Sequence, residues 1–332
     1  MRRGGASIKQ FGNTAAFRLF ELDDCAVAHE SACCVLSECF WLIHEQICAC
    51  SRGAARTGFS FMKHHRKNSR HRFQRIVLKF GSATLTRTRT PGLDLKQFAR
   101  LSAEVADLVR RGHECVMVTS GAVAAGTSVL ALSERPRDLA TAQASAAVGQ
   151  SKLMHAYEKA FSRYKLNVAQ LLLTHSDLDS RTRRANAGNT LERLLAAHSV
   201  VPIINENDSV ATEELSFGDN DRLSAEVATL ARADLLIILT QVDGLLDSEG
   251  KVIPLVRDID QVKALANGDK GKFSRGGMVS KLEAMRMAVD AGIETVIING
   301  RRADRIPDVL AGKNVGTRFL AKGHQARAKK TR

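Results

Sequence analysis

From Arg75 onward the chain alternates short apolar runs with amphipathic stretches, whereas residues 1–74 show no sustained period. Ile76-Val77-Leu78-Lys79-Phe80, closed by Gly81, predicts a buried strand. Asp94 to Arg111 places Leu95, Phe98, Leu101, Val105 and Leu108 on one face and stops at Gly112, which predicts a helix. Cys115-Val116-Met117-Val118 predicts the next strand, ending at Ser120-Gly121. Further helices are expected over about 140–164, 177–197, 222–231 and 277–291. They alternate with strands over 169–173, 200–204, 235–239 and 295–298, and a polar loop fills 205–221. Continuous apolar strands alternating with helices predict an α/β fold. The expected form is a three-layer α/β/α sandwich with a mostly parallel central sheet. In such sheets ligands bind beyond the carboxyl ends of the strands, so chemistry is sought in the residues that follow each strand.

Composition narrows the picture. At 332 residues the chain can bury one large core or two modest ones. No stretch approaches the roughly 18–20 continuous apolar residues a membrane helix needs, so no membrane partner is expected. The formal net charge is +14, part of it in residues 63–75 and in the tail from Lys322 to Arg332. Charge at the ends reads as solvated arms rather than a nucleic-acid face. The remainder suits a protein that handles polyphosphate and an acidic small molecule. Six of the seven cysteines lie in the first fifty residues without the paired spacing of a structural zinc site. Arg2 and Arg3 precede no long apolar stretch, and acids such as Glu21, Asp23 and Asp24 disfavour a transit peptide. The expected compartment is the cytoplasm.

Four segments at strand ends or helix starts carry candidate chemistry. In Lys79-Phe80-Gly81-Ser82 a lysine sits inside an apolar strand. Buried and unpaired it would cost several kcal/mol, so it points either to an anionic ligand or to a snorkelling edge-strand lysine. Thr119-Ser120-Gly121-Ala122-Val123-Ala124-Ala125-Gly126 has the small residues that let a ligand approach backbone N–H groups, or that let two helices pack closely. Asn205-Glu206-Asn207-Asp208 and Gly218-Asp219-Asn220-Asp221 put acids and amides in one loop, suited to an ammonium group or a magnesium ion. Asp221 is also expected to cap the helix opening at Arg222. Gly276-Gly277-Met278-Val279-Ser280-Lys281 starts a helix with exposed N–H groups that favour phosphate, and Lys281 can reach the same anion. This is not P-loop spacing. Two lysines and two glycine-rich turns suit phosphoryl transfer, which needs alignment and charge neutralisation more than covalent chemistry.

These blocks, in this order, resemble the amino acid kinase family. With Ala146-Ala147-Val148-Gly149-Gln150 added, the set resembles the branch that phosphorylates the side-chain carboxylate of glutamate. The resemblance covers about residues 74–321, and the Asn-Glu-Asn-Asp and Gly-Asp-Asn-Asp blocks are its most specific part. The lysine and glycine blocks alone would also fit aspartate, acetylglutamate or UMP kinases. A non-catalytic ligand-sensing or RNA-binding relative is a further alternative, which intact Lys79, Lys281 and Asp221 argue against.

The resemblance implies that Lys79 and Lys281 neutralise the phosphoryl group in transit and that Asp221 holds them. It implies that Ser120, Asp208 and Asn220 bind glutamate, with Gly121 and Asn205 nearby. Thr240, Gln241, Arg275, Gly276, Gly277, Met278, Val279, Ser280 and Lys281 would contact ATP, and magnesium would bridge the phosphates with help from Asp219. The implied reaction yields glutamyl 5-phosphate and ADP, a first step towards proline. The implied partners are glutamate, ATP, further copies of the chain as a dimer or tetramer, and a glutamyl phosphate reductase. Three departures stand out: Gln241 where the family usually has aspartate, Ser274-Arg275 before the Gly-Gly pair, and Gly188 where arginine is frequent. The first two bear on nucleotide affinity more than on the fold. The expected organisation is an N-terminal extension over 1–73, a kinase domain over 74–321 and a basic tail over 322–332, with no C-terminal PUA domain. Met62 is the expected natural start.

Overall fold

A computed structural model describes residues 73–88, 90, 92–211, 219–247, 249–260, 262 and 277–321, with the backbone alone for 219 and 277–280. The expected extension, apart from Phe73, and the basic tail lie outside the described residues. Eight strands form one sheet: β1 (Arg75–Phe80), β2 (Glu114–Val118), β3 (Asn167–Leu173), β4 (Val200–Glu206), β5 (Leu235–Thr240), β6 (Leu255–Val256), β7 (Glu294–Asn299) and β8 (Thr317–Phe319). Their spatial order is β3-β4-β2-β1-β5-β7-β8-β6. The six strands from β3 to β7 are parallel, β8 is antiparallel to β7, and β6 runs parallel to β8. The mostly parallel sheet predicted above is therefore present, with an added edge of two- and three-residue strands too short to leave a periodic signal.

The described helices are α1 (Ser82–Leu85), α2 (Leu95–Arg110), α3 (Ala122–Val129), α4 (Leu139–Ser162), α5 (His175–Asp179), α6 (Arg181–Ala196), α7 (Asp219–Leu230), α8 (Gly277–Asp290) and α9 (Arg305–Leu310). The single helix expected over 177–197 is two. Thr174 and Asp177 form a capping box that starts α5 earlier, and extended backbone at Ser180 separates it from α6. None of the described helices is long and apolar enough to cross a membrane.

Alternation along β1 decides which residues meet which layer. Ile76, Leu78 and Phe80 join the core with Phe98, Leu101 and Val105 of α2, Tyr157 and Phe161 of α4, and Ile306 of α9. Val77 faces the opposite core, with Leu223 and Val227 of α7 and Leu282 and Met285 of α8. Lys79 has the parity of Val77, so the strand aims it at the α7–α8 layer. The chain runs from β1 to β2 on one side of the sheet, and after β4 it crosses through α7 to β5 on the other side. This reversal beside β1 is the switch point at which an open parallel sheet offers a crevice.

Close helix contact explains part of the small-residue run. A Cβ on Gly126 would fall 1.7 Å from the Ser145 carbonyl oxygen, and one on Gly149 would fall 1.8 Å from the Ala122 carbonyl oxygen. Thus α3 and α4 meet backbone to backbone. Replacing Gly149 with alanine must drive them apart, with an expected loss of about 1–3 kcal/mol or more in urea unfolding. An unchanged midpoint would contradict this packing.

Candidate active site

The carboxyl ends of β1, β2, β4 and β5 carry the candidate residues. Lys79 is the penultimate residue of β1 and is 6% exposed. Register pairs it with Val118 and Ile238, so Thr119–Gly121 and Thr240 lie just beyond it on the flanking strands. Its Nζ lies 2.5 Å from Oδ1 of Asp221. Lys281, in the second turn of α8, donates from Nζ to the other carboxylate oxygen of Asp221 at 2.8 Å. Two ammonium groups from segments about 200 residues apart in sequence therefore share one carboxylate that is 1% exposed. Gly81 keeps space open beside this triplet, since a Cβ there would stand 3.6 Å from Lys79 Nζ.

Helix α7 starts at Asp219, three residues earlier than expected, so Asp221 lies within its first turn rather than capping it. Asp221, Ser224, Ala225 and Ala228 then share the inward face at i, i+3, i+4 and i+7, and their small side chains bring the helix close to β1. At the next residue, Arg222 Nε pairs with Glu226 Oε1 at 3.0 Å, and Glu226 Oε2 lies 2.8 Å from His175 Nδ1. That contact ties α7 to the end of β3, and the hydrogen bond to Glu226 raises the His175 pKa.

Electrostatics follow from burial. Desolvation lowers the Lys79 pKa, Asp221 opposes this, and the charge of Lys281 adds to the lowering. For Asp221, burial pushes the carboxyl up, but Lys79 and Lys281 together more than offset it, leaving a net depression. Asp221 accordingly contributes stability above the ordinary aspartate pKa, about 3.9, which is lost as pH falls through its lower folded value. Lys79 acts in the other sense. Its lowered pKa means the unfolded chain binds more protons below about 10.4, so its contribution to stability improves as pH rises through that window.

A second group of residues adjoins the triplet. Ser120 follows β2 and is buried, and Gly121 holds a left-handed conformation at φ 111° as α3 begins. Asn220 Nδ2 donates to Ser120 Oγ at 3.0 Å. Asn205 lies inside the end of β4 rather than in the expected loop, and its Nδ2 donates to Gln150 Oε1 at 2.9 Å. Asp208 sits in the turn after β4, partly exposed.

On the other side of β1, Thr240 ends β5 and Gln241 is exposed, donating from Nε2 to the Ala83 carbonyl at 3.1 Å. Arg275 and Gly276 lie outside the described residues, and for Gly277, Met278, Val279 and Ser280 only the helical backbone is described. A network at the ends of β5 and β7 has no counterpart among the residues singled out from the sequence. Asn299 Nδ2 donates to the Gln241 carbonyl at 3.1 Å and to Asp243 at 3.0 Å, and Arg301 donates to the Ala83 carbonyl at 2.7 Å. The rule of reading each residue that follows a strand would have found Asn299. Gly188, on α6, would bring a Cβ within 3.2 Å of Leu230, so α6 meets α7 there without a side chain.

Among the described residues no cluster of three His, Cys, Asp or Glu side chains could hold a metal ion, and the Asp219 side chain lies outside them. Both oxygens of Asp221 face lysines. This donor set fits magnesium that arrives on substrate phosphates rather than in a protein cage.

At the switch point, two ammonium groups on one buried carboxylate leave an excess of positive charge suited to an anion. The chain belongs to the amino acid kinase family, whose model matches residues 74–299. Its relatives include a glutamate 5-kinase of Moorella thermoacetica, 47% identical over 264 residues that make up 77% of this chain and 69% of the relative. Another is a glutamate 5-kinase of Symbiobacterium thermophilum, 45% identical over 266 residues, covering 78% of this chain and 100% of that protein. Among solved structures, a UMP kinase of Bacillus anthracis superposes with a TM-score of 0.51 at 14% identity, over 75% of this chain and 97% of that one. At that identity the likeness concerns the fold alone.

Proposed function

We propose that this chain transfers the γ-phosphoryl group of ATP to the side-chain carboxylate of L-glutamate, giving L-glutamyl 5-phosphate and ADP. The observation that carries the reading is the convergence of Lys79 and Lys281 on Asp221. A carboxylate oxygen of glutamate attacks the γ-phosphorus. The bond from phosphorus to the β,γ-bridging oxygen breaks, and its electron pair stays on ADP. Glutamate's side chain, with a pKa near 4.3, is already ionised at neutral pH, so no general base is needed. Lys79 and Lys281 neutralise the charge on the moving group, and Asp221 holds both ammonium groups in place. Ser120, Gly121, Asn205, Asp208 and Asn220 hold glutamate. Thr240, Gln241 and the segment from Arg275 to Lys281 hold ATP, which enters as its magnesium complex. Asp219 would help to hold the magnesium that accompanies the nucleotide, which would supply positive charge to the phosphates.

The test is ADP release that depends on glutamate, with hydroxylamine present to trap an acyl phosphate as a hydroxamate. Hydroxamate formation in step with ADP is expected. Turnover with UMP or N-acetylglutamate instead of glutamate would overturn the assignment. Asp208→Ala is expected to raise the glutamate KM at least about tenfold with little change in the ATP KM, as loss of a hydrogen bond to a charged group implies. The acyl phosphate is labile, which favours its prompt consumption by a reductase.

A further inference from the structure

We propose that Gln150 is a specificity-determining residue of the amino-acid subsite, which reads the free α-ammonium and α-carboxylate of the substrate together with Asn205 and Asn220; this rests on the glutamate reading above. Gln150 belongs to α4, one residue after the glycine whose backbone lies against Ala122 of α3. That contact brings Gln150 to the end of β4, where its Oε1 accepts from Asn205 Nδ2. The bond uses one polar atom of each amide. Gln150 Nε2 and Asn205 Oδ1 remain buried with no hydrogen-bond partner among the described residues, and so does Asn220 Oδ1. The other end of the Asn220 amide is committed to Ser120.

Buried amide atoms are costly to leave unmatched, and these three belong to residues held at the adjoining ends of β2 and β4, where the Thr119 N–H donates to the Ile204 carbonyl. Together they offer one donor and two acceptors. A free α-amino acid presents the complement: an ammonium with three N–H donors and a carboxylate that only accepts. An N-acylated amino acid has one N–H and no positive charge there, and a nucleoside monophosphate has neither group. The set therefore selects for an unmodified amino-acid head. Gln150 serves it twice, by fixing the Asn205 amide with its oxygen turned to the ligand and by donating from Nε2 to the α-carboxylate.

Two substitutions separate these roles. Gln150→Glu keeps an acceptor for Asn205 Nδ2 but replaces the donor with negative charge, and Gln150→Leu removes both. Each variant is assayed by hydroxamate formation with glutamate and with its α-amide, alongside the ATP KM and the unfolding midpoint. The expected result for Gln150→Glu is a glutamate KM raised at least about tenfold, an ATP KM within twofold of the parent, and a preference for α-carboxylate over α-amide reduced at least about tenfold. Gln150→Leu is expected to raise the KM for glutamate at least about tenfold at an unfolding midpoint near the parent's. The proposal is overturned if both variants keep the parental glutamate KM. It is equally overturned if KM for glutamate and for the α-amide rise together in Gln150→Glu, which is the mark of a purely structural role. A parent enzyme without glutamate-dependent ADP release would instead overturn the reading beneath it, and this inference with it.

Discussion

Lys79→Met is expected to lower kcat with glutamate and ATP by about a thousandfold while the chain stays folded. The magnitude is that of removing a preorganised positive group from a developing phosphoryl charge, which costs roughly two to five powers of ten. Methionine keeps most of the buried lysine stem in contact with its surroundings. Asp221 loses one partner but retains Lys281 at 2.8 Å, so no isolated buried charge is created. Burial already disfavours the Lys79 cation, so its removal should cost little stability. The informative pattern is therefore a collapse of turnover without a collapse of the unfolding midpoint. Parallel loss of both would mark Lys79 as structural.

Asp221→Asn is expected to act on stability and catalysis together. It removes the carboxylate charge that Lys79 and Lys281 share, in a site where Lys79 is 6% exposed. Breaking a buried pair in this way costs about 3–5 kcal/mol, readable in urea unfolding. Lys79 also loses the one group that holds its pKa up, while burial and Lys281 still lower it. The alkaline fall of turnover in the parent should therefore lie below the ordinary lysine value, about 10.4, and in Asp221→Asn it should move to lower pH still. An alkaline limb at the same pH in both proteins would mean that Asp221 does not support the Lys79 charge.

Much of this site was legible before the structure. A lysine within an apolar strand pointed either to an anionic ligand or to a snorkelling edge position, and the central place of β1 with Lys79 buried removes the second; the two-residue period of β1 aims Lys79 to the same face as Val77. What the sequence left open was the partner. Asp221 pairs with residues 142 positions before it and 60 after it, and no local pattern reports such distances. Its reading as a helix cap missed by a few residues because the polar Asp219-Asn220 start carries no periodic apolar signal. The run from Thr119 to Gly126 was left open between ligand approach and helix packing. At Gly126 the packing reading holds, since that glycine lies against the backbone of α4, whereas Gly121 adopts a positive φ at the strand end. Gln150 was visible only as part of a block, because its meaning depends on Asn205, 55 residues away. The β6–β8 edge escaped because strands of two or three residues are shorter than any hydrophobic period.

The most direct test of convergence on one phosphoryl group is a double-mutant cycle of Lys79→Met and Lys281→Met, read as single-turnover phosphoryl transfer from ATP to glutamate. Either substitution alone is expected to slow transfer by about a thousandfold, and the pair far less than the product of the two, as for groups that act as a unit. Single variants that transfer at the parental rate, or two large losses that multiply in full, would contradict it.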